Sequence, residues 1–297
     1  MFTGLSAFPL TPFRDDRFDK AAFEGLISRL AGAGVDSITA LGSTGSYAYL
    51  EREERRRVAQ AAVQHADGVP VMVGIGALRT SLVQALADDA QEAGAAAVLL
   101  APMSYQKLTD DDVFGLYDDV TAGLSVPLVV YDNPATTHFT FSEDLYARIA
   151  ELPHVASIKI PAVPTDARAA HERVEGIRRR IPSHVSIGVS GDSSAATGMA
   201  AGCDGWYSVI AGTLPAPALA IMRAARAGDH EAAAEESARL QPLWDLFAEH
   251  GSLRVIAAIA EHLQLVPTPC LPRPLRGLGT PARARVAATL DELTLSA

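Results

Sequence analysis

The residue best suited to covalent chemistry in this sequence is Lys159, which lies inside the apolar run VASIKIPA. Lysine is scarce, since only three of the 25 Lys and Arg residues are lysines, so solubility does not explain a lysine here. Apolar surroundings disfavour the ammonium form, which lowers the pKa and makes the neutral amine available. A neutral lysine amine attacks carbonyl groups to form a Schiff base. The alternative is a lysine at a strand end whose ammonium reaches water or pairs with a carboxylate.

Two further segments offer groups that such a reaction could use. Tyr131 ends the run PLVVY and could relay protons beside a forming imine, although a core tyrosine with a satisfied hydroxyl is the alternative. The run GSTGS, residues 42–46, offers backbone N–H groups and the hydroxyls of Ser43 and Thr44 to a carboxylate. A plain turn explains this run equally well, and it is not a P-loop because the Lys-Ser/Thr pair is missing.

Two weaker candidates could line the same site. Ser190 lies in the polar run SGDSS, and His138 follows Tyr131 by seven residues, where a solvated loop histidine is equally reasonable. The eight histidines are scattered, with no H-E-x-x-H motif and no cysteine pair. We therefore expect no metal site.

The elements that must position these residues alternate along the chain. Eight short runs are almost continuously apolar, as expected of parallel strands that are buried on both faces, and helical spacing fills the segments between them. This order predicts a (β/α)8 TIM barrel over residues 1–228, and no G-x-G-x-x-G follows the first run to support an open dinucleotide-binding sheet. The predicted strands are Leu5–Phe8, Ser37–Leu41, Pro70–Gly74, Ala96–Ala101, Pro127–Asp132, Ala156–Ile160, Val185–Val189 and Trp206–Ile210.

The helical segments carry recognisable start and stop signals. We expect Thr80, Thr109, Ser142 and Thr165 as N-caps, and Gly34, Gly94 and Gly202 as left-handed caps before a strand. Residues 229–297 contain no strand pattern and predict a C-terminal helical extension packed on the barrel. The predicted helices are Lys20–Ala31, Arg52–His65, Ser81–Ala93, Asp111–Thr121, Ser142–Ala150, Asp166–Arg179, Glu231–Glu249, Leu253–Leu263 and Pro281–Leu293.

In such a barrel the chemistry sits at the carboxyl ends of the strands. Tyr131 and Lys159 each lie one residue before the end of the fifth and sixth predicted strands, so their side chains should lie about 5 Å apart across the sheet. The shared position makes each residue a stronger candidate than it is alone.

Composition excludes several classes of function. The chain has 297 residues, 48% hydrophobic and 20% charged, with a mean hydropathy of +0.14, which is typical of a folded globular protein. Its net charge of −10 disfavours nucleic-acid binding, and no apolar run is long enough to span a membrane. Two cysteines cannot form a disulfide framework, and the N-terminus lacks a secretory pattern, so we expect a cytoplasmic protein.

Taken in order, these segments resemble the dihydrodipicolinate synthase / N-acetylneuraminate lyase family of class I pyruvate aldolases. MFTGLSAFPLTPF is similar to the family's opening, GSTGS to its G-T-T-G-E loop, and YDNPATT to its Y-N-x-P segment. APMSYQKLT resembles the loop that carries a tyrosine, SIKIPA the Schiff-base strand, and VSGD the S-G-D run. The resemblance covers nearly the whole chain and implies a (β/α)8 barrel with C-terminal helices.

The resemblance also implies roles for individual residues. Lys159 corresponds to the imine-forming lysine and Tyr131 to the general acid and base beside it. Thr44 corresponds to the middle of a hydroxyl relay, and Tyr105 to a relay tyrosine that reaches in from a neighbouring subunit. Ser43 and Thr44 would hold the pyruvate carboxylate. The implied partners are pyruvate or another 2-keto acid and an aldehyde, with no cofactor beyond the imine, in a homo-oligomer that is a dimer of dimers.

Four positions depart from the family pattern and bear on the substrate. Thr136 stands where the family's synthase has an arginine that binds the carboxylate of the aldehyde partner. Asp132 replaces the Asn after the tyrosine, and His138 replaces a glycine further on. Tyr207, in GWYS, replaces a small aliphatic residue near the imine and would narrow or reshape the pyruvate pocket. We therefore expect Thr136, His138, Tyr207 and Ser190 to contact the substrate.

Three hypotheses for the function follow. The preferred one is a pyruvate-dependent carbon–carbon lyase or synthase whose aldehyde partner is open, with lyases of sugar-derived 2-keto-3-deoxy acids, hydratase–aldolases and dehydratases among the possibilities. The second is the family's synthase reaction, which joins pyruvate to aspartate semialdehyde. The third is a barrel that binds or senses a small molecule without catalysis.

Overall fold

A computed structural model describes residues 2–296 and has a closed barrel of eight parallel strands. Each strand pairs with the next along the chain, and the eighth pairs with the first, so the (β/α)8 prediction is confirmed. Every predicted strand is present, with shorter bounds at most ends. The strands are β1 (Gly4–Ala7), β2 (Ser37–Ala40), β3 (Val71–Gly74), β4 (Ala97–Leu100), β5 (Leu128–Tyr131), β6 (Val155–Ile160), β7 (Ser186–Val189) and β8 (Gly205–Ser208).

Both faces of the barrel wall are buried, which explains why the strands read as continuous apolar runs. Side chains alternate between the faces, so one set packs under the helices and the other fills the interior. Ser157 and Lys159 belong to the interior set, because their register partners on β5 are Val129 and Tyr131, which lie in the interior cluster. That cluster contains Phe8, Met72, Ala97, Leu99, Ala101, Val129, Tyr131 and Tyr207.

Helices follow the strands around the outside of the barrel and continue to the C-terminus. They are α1 (Lys20–Ala33), α2 (Arg52–His65), α3 (Thr80–Glu92), α4 (Asp110–Thr121), α5 (Pro134–Thr137), α6 (Glu143–Ala150), α7 (Ala167–Arg178), α8 (Ala195–Ala200), α9 (Pro215–Arg226), α10 (His230–Arg239), α11 (Gln241–His250), α12 (Ser252–His262) and α13 (Thr280–Glu292). Short 3-10 helices occupy Tyr47–Tyr49, Asp192–Ser194 and Ile210–Gly212, and a two-stranded hairpin joins Phe13–Arg14 to Arg17–Phe18.

The structure corrects two of the predicted helix starts. Thr109 and Ser142 cap α4 and α6 as expected, each accepting a backbone N–H bond. The cap of α7 is Asp166 rather than Thr165, because the Asp166 carboxylate accepts the N–H of Ala169. Thr80 is already helical, and the extended residue before it is the cap of α3. Both corrections are shifts of one residue. The glycines Gly34, Gly94 and Gly202 end their helices at positive φ, as expected.

The C-terminal extension is helical, as predicted, but it is divided differently. The single helix predicted over Glu231–Glu249 is two helices, α10 and α11, that meet at Leu240. Pro242 explains the break, since it has no N–H to donate and its ring prevents the preceding helix from continuing. The division of the chain at residues 228 and 229 stays a prediction. Within the described residues, no helix is long and apolar enough to cross a membrane.

Candidate active site

The structure brings Lys159 and Tyr131 together inside the barrel, at the carboxyl ends of β6 and β5. The two residues are register partners, and the Nζ of Lys159 lies 4.0 Å from the centre of the Tyr131 ring. Lys159 is 2% exposed and Tyr131 5% exposed, so both functional groups are removed from bulk water. The expected pair of lysine and tyrosine is therefore confirmed as a contact.

Aromatic rings surround the amine of Lys159. Its Nζ lies 3.8 Å from the ring centre of Phe8 and 5.8 Å from that of Tyr207. Ring faces attract a cation only weakly compared with water, so burial lowers the pKa of Lys159 to about 7, and the charge of Asp192 partly opposes this shift. This lowered pKa makes the neutral, nucleophilic amine available near neutral pH, where an ordinary lysine is almost fully protonated.

Asp192, just after β7, is a buried carboxylate whose charge acts to raise the pKa of Lys159. Its oxygens accept hydrogen bonds from Trp206 Nε1 at 3.0 Å, the Val209 N–H at 3.1 Å and the Ile210 N–H at 2.7 Å. Burial raises the pKa of Asp192, and these donors oppose the shift. Since its oxygens bind Trp206 on β8 and the backbone just after that strand, Asp192 holds this segment in place, and no described residue forms an ion pair with Lys159.

The hydroxyl of Tyr131 contacts two polar side chains at the mouth of the barrel. Ser43 Oγ lies 3.2 Å away, and Asn133 Nδ2 donates to the hydroxyl at 2.8 Å. Because the amide nitrogen only donates, the phenol keeps its own proton for Ser43 or for a substrate. Burial raises the pKa of Tyr131, and both hydrogen bonds oppose that shift.

This contact corrects the expected relay. The resemblance implies Thr44 as the middle of a hydroxyl relay, but Ser43 is the residue of the GSTGS loop whose hydroxyl reaches Tyr131, while Thr44 is buried. The loop conformation decides which hydroxyl points inward, and the sequence does not reveal that conformation. Sequence reasoning also missed Asn133, although a polar residue two positions after Tyr131 is a signal that could have identified it.

The remaining predicted residues lie at different depths. Thr136 and His138 are exposed at α5, above the barrel mouth, and Tyr105 is 91% exposed in the loop after β4. Ser190 donates its hydroxyl to the Ile160 carbonyl at 2.8 Å, so it braces the end of β6. Tyr207 is buried deeper in the barrel. The structure therefore groups Lys159, Tyr131 and Ser43, and leaves the other candidates around them.

Tyr207 occupies the barrel interior below the amine. Its hydroxyl lies 2.7 Å from Ser157 Oγ, and Ser157 precedes Lys159 by two residues on the same face of β6. The phenol hydroxyl therefore points away from the mouth, and the ring centre lies 5.8 Å from the Lys159 Nζ.

Comparison with known proteins agrees with this site. A model of the dihydrodipicolinate synthetase family matches residues 1–293. The chain belongs to that family. It is accordingly a pyruvate-dependent lyase, and the resemblance predicted from the motifs is confirmed.

Among solved structures, this family member is similar to dihydrodipicolinate synthase from Agrobacterium tumefaciens, with a TM-score of 0.93, 47% identity and 98% of each chain covered. The 4-hydroxy-tetrahydrodipicolinate synthase of Nitrobacter hamburgensis is 31% identical over 91% of this chain and 92% of that protein. That of Salinibacter ruber is 30% identical over 99% of this chain and 96% of that protein. These relatives carry the name of the synthase, and the aldehyde partner of this family member remains open.

Asp132 follows the catalytic tyrosine candidate but lies on the outer face of the barrel wall. Its carboxylate accepts a short hydrogen bond from the Tyr146 hydroxyl, and its N–H donates to the Lys159 carbonyl at 3.1 Å. Burial raises the pKa of Asp132 to about 6. This residue joins the ends of β5 and β6 to α6, so its departure from the family's Asn concerns the support of the site rather than contact with substrate.

The low number of lysines allows a direct test of the Lys159 amine. In protein labelled with ¹⁵N at the lysine side chains, we expect one NMR signal to titrate with a midpoint of about pH 7, against 10.5 for an ordinary lysine, because burial penalises the ammonium. Lys159→Met should remove that signal, and Lys107→Arg should leave it unchanged. The interpretation is wrong if no lysine signal of the wild-type protein titrates between pH 6 and 8.

Proposed function

We propose that Lys159 forms a Schiff base with the keto carbon of pyruvate or another 2-keto acid, and that Tyr131 moves the protons of this reaction. The observation that carries the proposal is the buried amine, whose pKa is about 7, lying 4.0 Å from the Tyr131 ring. A lysine in this state is a nucleophile at neutral pH, and a phenol beside it can act as acid and base.

The reaction follows from the chemistry of the imine. The Lys159 amine attacks the keto carbon, and the resulting carbinolamine loses water to give a protonated imine. This imine withdraws electrons, so a proton leaves the adjacent C3 and an enamine forms. The enamine carbon then attacks an aldehyde, or the reverse sequence releases one. Because the imine supplies the electron sink, the proposed chemistry needs no metal and no further cofactor.

Proton transfer would use the groups around the Tyr131 hydroxyl. Its bond from Asn133 stabilises negative charge on the oxygen, and Ser43, at 3.2 Å, can exchange protons with it. The GSTGS loop would hold the substrate carboxylate through the backbone N–H groups and hydroxyls of Ser43 and Thr44. Tyr105, from another subunit, would complete the relay to solvent.

For the aldehyde, we propose a partner without the carboxylate of aspartate semialdehyde. Thr136, exposed at α5, offers a hydroxyl where the family's synthase has an arginine, and a hydroxyl cannot replace a bidentate, charged contact. The synthase reaction itself is the second candidate, and the names of the relatives at 30–47% identity favour it. His138 beside Thr136 would contact either aldehyde.

We also propose that the protein is a homo-oligomer, at least a dimer and in its full form a dimer of dimers. Tyr49, Leu78, Leu82 and Tyr105 are large apolar side chains that the described chain leaves exposed. They follow β2, β3 and β4, which are neighbours in the barrel, so they share one side of its mouth. Exposed apolar groups on one side of a mouth favour a second copy of this chain as their partner.

The cytoplasm is the proposed location, and the two cysteines support it. Cys203 and Cys270 are both free and buried, which suits a reducing compartment. Burial raises the pKa of the Cys203 thiol, so this cysteine is unsuited to act as a nucleophile.

Reductive trapping tests the proposed imine. With pyruvate and cyanoborohydride, we expect the wild-type mass to increase by one reduced pyruvyl group attached to Lys159. Lys159→Ala should abolish the increase, and Lys107→Ala should leave it intact. Tyr131→Phe should still form the imine but slow exchange of the pyruvate C3 protons by about 10² or more. An unmodified wild-type mass would contradict the proposal, and tight pyruvate binding without trapping or exchange would favour the non-catalytic alternative.

A coupled assay with the reductase of the synthase product tests the aldehyde partner. We expect no turnover of pyruvate with aspartate semialdehyde by the wild-type protein, because Thr136 provides no cation for the aldehyde's carboxylate. Thr136→Arg should introduce measurable turnover, whereas Thr140→Arg, at another exposed position of the same loop, should not. Efficient turnover by the wild-type protein would establish the synthase reaction instead.

Light scattering tests the proposed assembly. The wild-type protein should be a dimer or larger, and the double substitution Leu78→Glu with Leu82→Glu should shift it towards monomer, since charges would be buried at the interface. Ala284→Glu, an exposed substitution on α13, should leave the assembly unchanged. A wild-type monomer with full activity would overturn both the interface and the role of Tyr105.

A further inference from the structure

Phe8 and Tyr207 form one wall beside the reacting nitrogen. Their ring centres are 6.1 Å apart and the ring planes cross at 88°, an edge-to-face contact. The Lys159 Nζ lies 3.8 Å from the centre of the Phe8 ring and 5.8 Å from that of Tyr207. Anything attached to this nitrogen therefore meets aromatic carbon on that side.

Both rings of this wall pack directly against the backbone of a glycine. A Cβ on residue 188 would overlap the Tyr207 ring, and a Cβ on residue 42 would overlap the Phe8 ring. Gly188 is also the register partner of Lys159 on β7, so the space next to the lysine is filled by the Tyr207 ring. The hydrogen bond of Tyr207 to Ser157 fixes the ring further. Neither ring has room to retreat from a substrate.

The Nζ also lies over the Tyr131 ring, 4.0 Å from its centre, and the hydroxyl of that ring carries the polar contacts with Ser43 and Asn133. An imine carbon carries two substituents, which for a 2-keto acid are the carboxylate and C3. The carboxylate needs hydrogen-bond donors and is expected to turn towards the Tyr131 hydroxyl and Ser43, which places C3 next to the wall of Phe8 and Tyr207.

We propose that Phe8 and Tyr207 limit the 2-keto acid to one carbon substituent on C3, which must point to the barrel mouth, and exclude acids that carry two. This inference rests on the proposed imine at Lys159. Pyruvate fits because its C3 carries only hydrogens, and the bond to the aldehyde forms on the mouth side. A C3 with two carbon branches would drive one branch into the wall, where a small excess of volume is costly.

Competitive trapping measures this limit. With cyanoborohydride, the wild-type protein should trap pyruvate and 2-oxobutyrate but not 3-methyl-2-oxobutyrate, whose C3 carries two methyl groups. Phe8→Leu and Tyr207→Leu, which each shorten the wall, should trap 3-methyl-2-oxobutyrate at least about tenfold faster than the wild-type protein. Phe247→Leu, the same change on α11, is the matched control and should keep the wild-type preference.

Each outcome is decisive when thermal unfolding shows that the variants are folded. The limit is wrong if the wild-type protein traps the branched acid as readily as pyruvate. It is also wrong if both wall variants, or the folded one of the two, still exclude the branched acid. A wild-type protein that traps no keto acid refutes the imine itself, which separates failure of the proposed function from failure of the size limit.

Discussion

The burial of one lysine amine among aromatic rings is the constraint on which the rest of the site depends. The interior of a closed eight-stranded barrel has no room for the hydration shell of an ammonium, and the Lys159 Nζ lies against the rings of Phe8 and Tyr131. The pKa of about 7 is the direct result. Between pH 7 and 10.5 the unfolded chain holds a proton that the folded chain lacks, so this burial costs stability that grows as the pH falls through that range. The apolar core offsets the cost.

The residues packed around Lys159 keep its amine from forming an ion pair. Asp192 is close enough to raise the pKa of Lys159, yet its oxygens are bound to Trp206 and to two backbone N–H groups. A carboxylate bound in this way cannot move to form an ion pair with Lys159, which would restore the ammonium form and remove the neutral amine. Glycines at positions 42 and 188 let the rings approach closely, so apolar contact replaces water around the nitrogen.

The sequence predicts the parts of this protein that depend on repetition and chain order. Eight apolar runs predict eight strands, and the neighbouring strands then place Tyr131 beside Lys159. The sequence does not predict the side-chain contacts that depend on the local conformation of a loop. Ser43 is the residue of the GSTGS loop that meets the tyrosine hydroxyl, and Asn133 donates to the same hydroxyl from the chain after β5. Which loop side chain reaches the hydroxyl depends on the path of the loop and not on the order of the strands. The break between α10 and α11 differs from these cases, because Pro242 is visible in the sequence and predicts it, whereas helical periodicity alone does not.

The keto acid and the aldehyde of the proposed reaction would contact different parts of the fold. The keto acid would be held by buried strand residues and by rings seated on backbone, where a change of one methyl group is resisted by close packing. The aldehyde would meet Thr136 and His138, which are exposed on the four-residue helix α5. Substitutions on such a helix cost little stability, because few contacts depend on them. A fold of this kind can therefore keep the proposed imine chemistry while its aldehyde partner changes. Thr136 is the position in this chain at which a substitution would change the contact with the aldehyde.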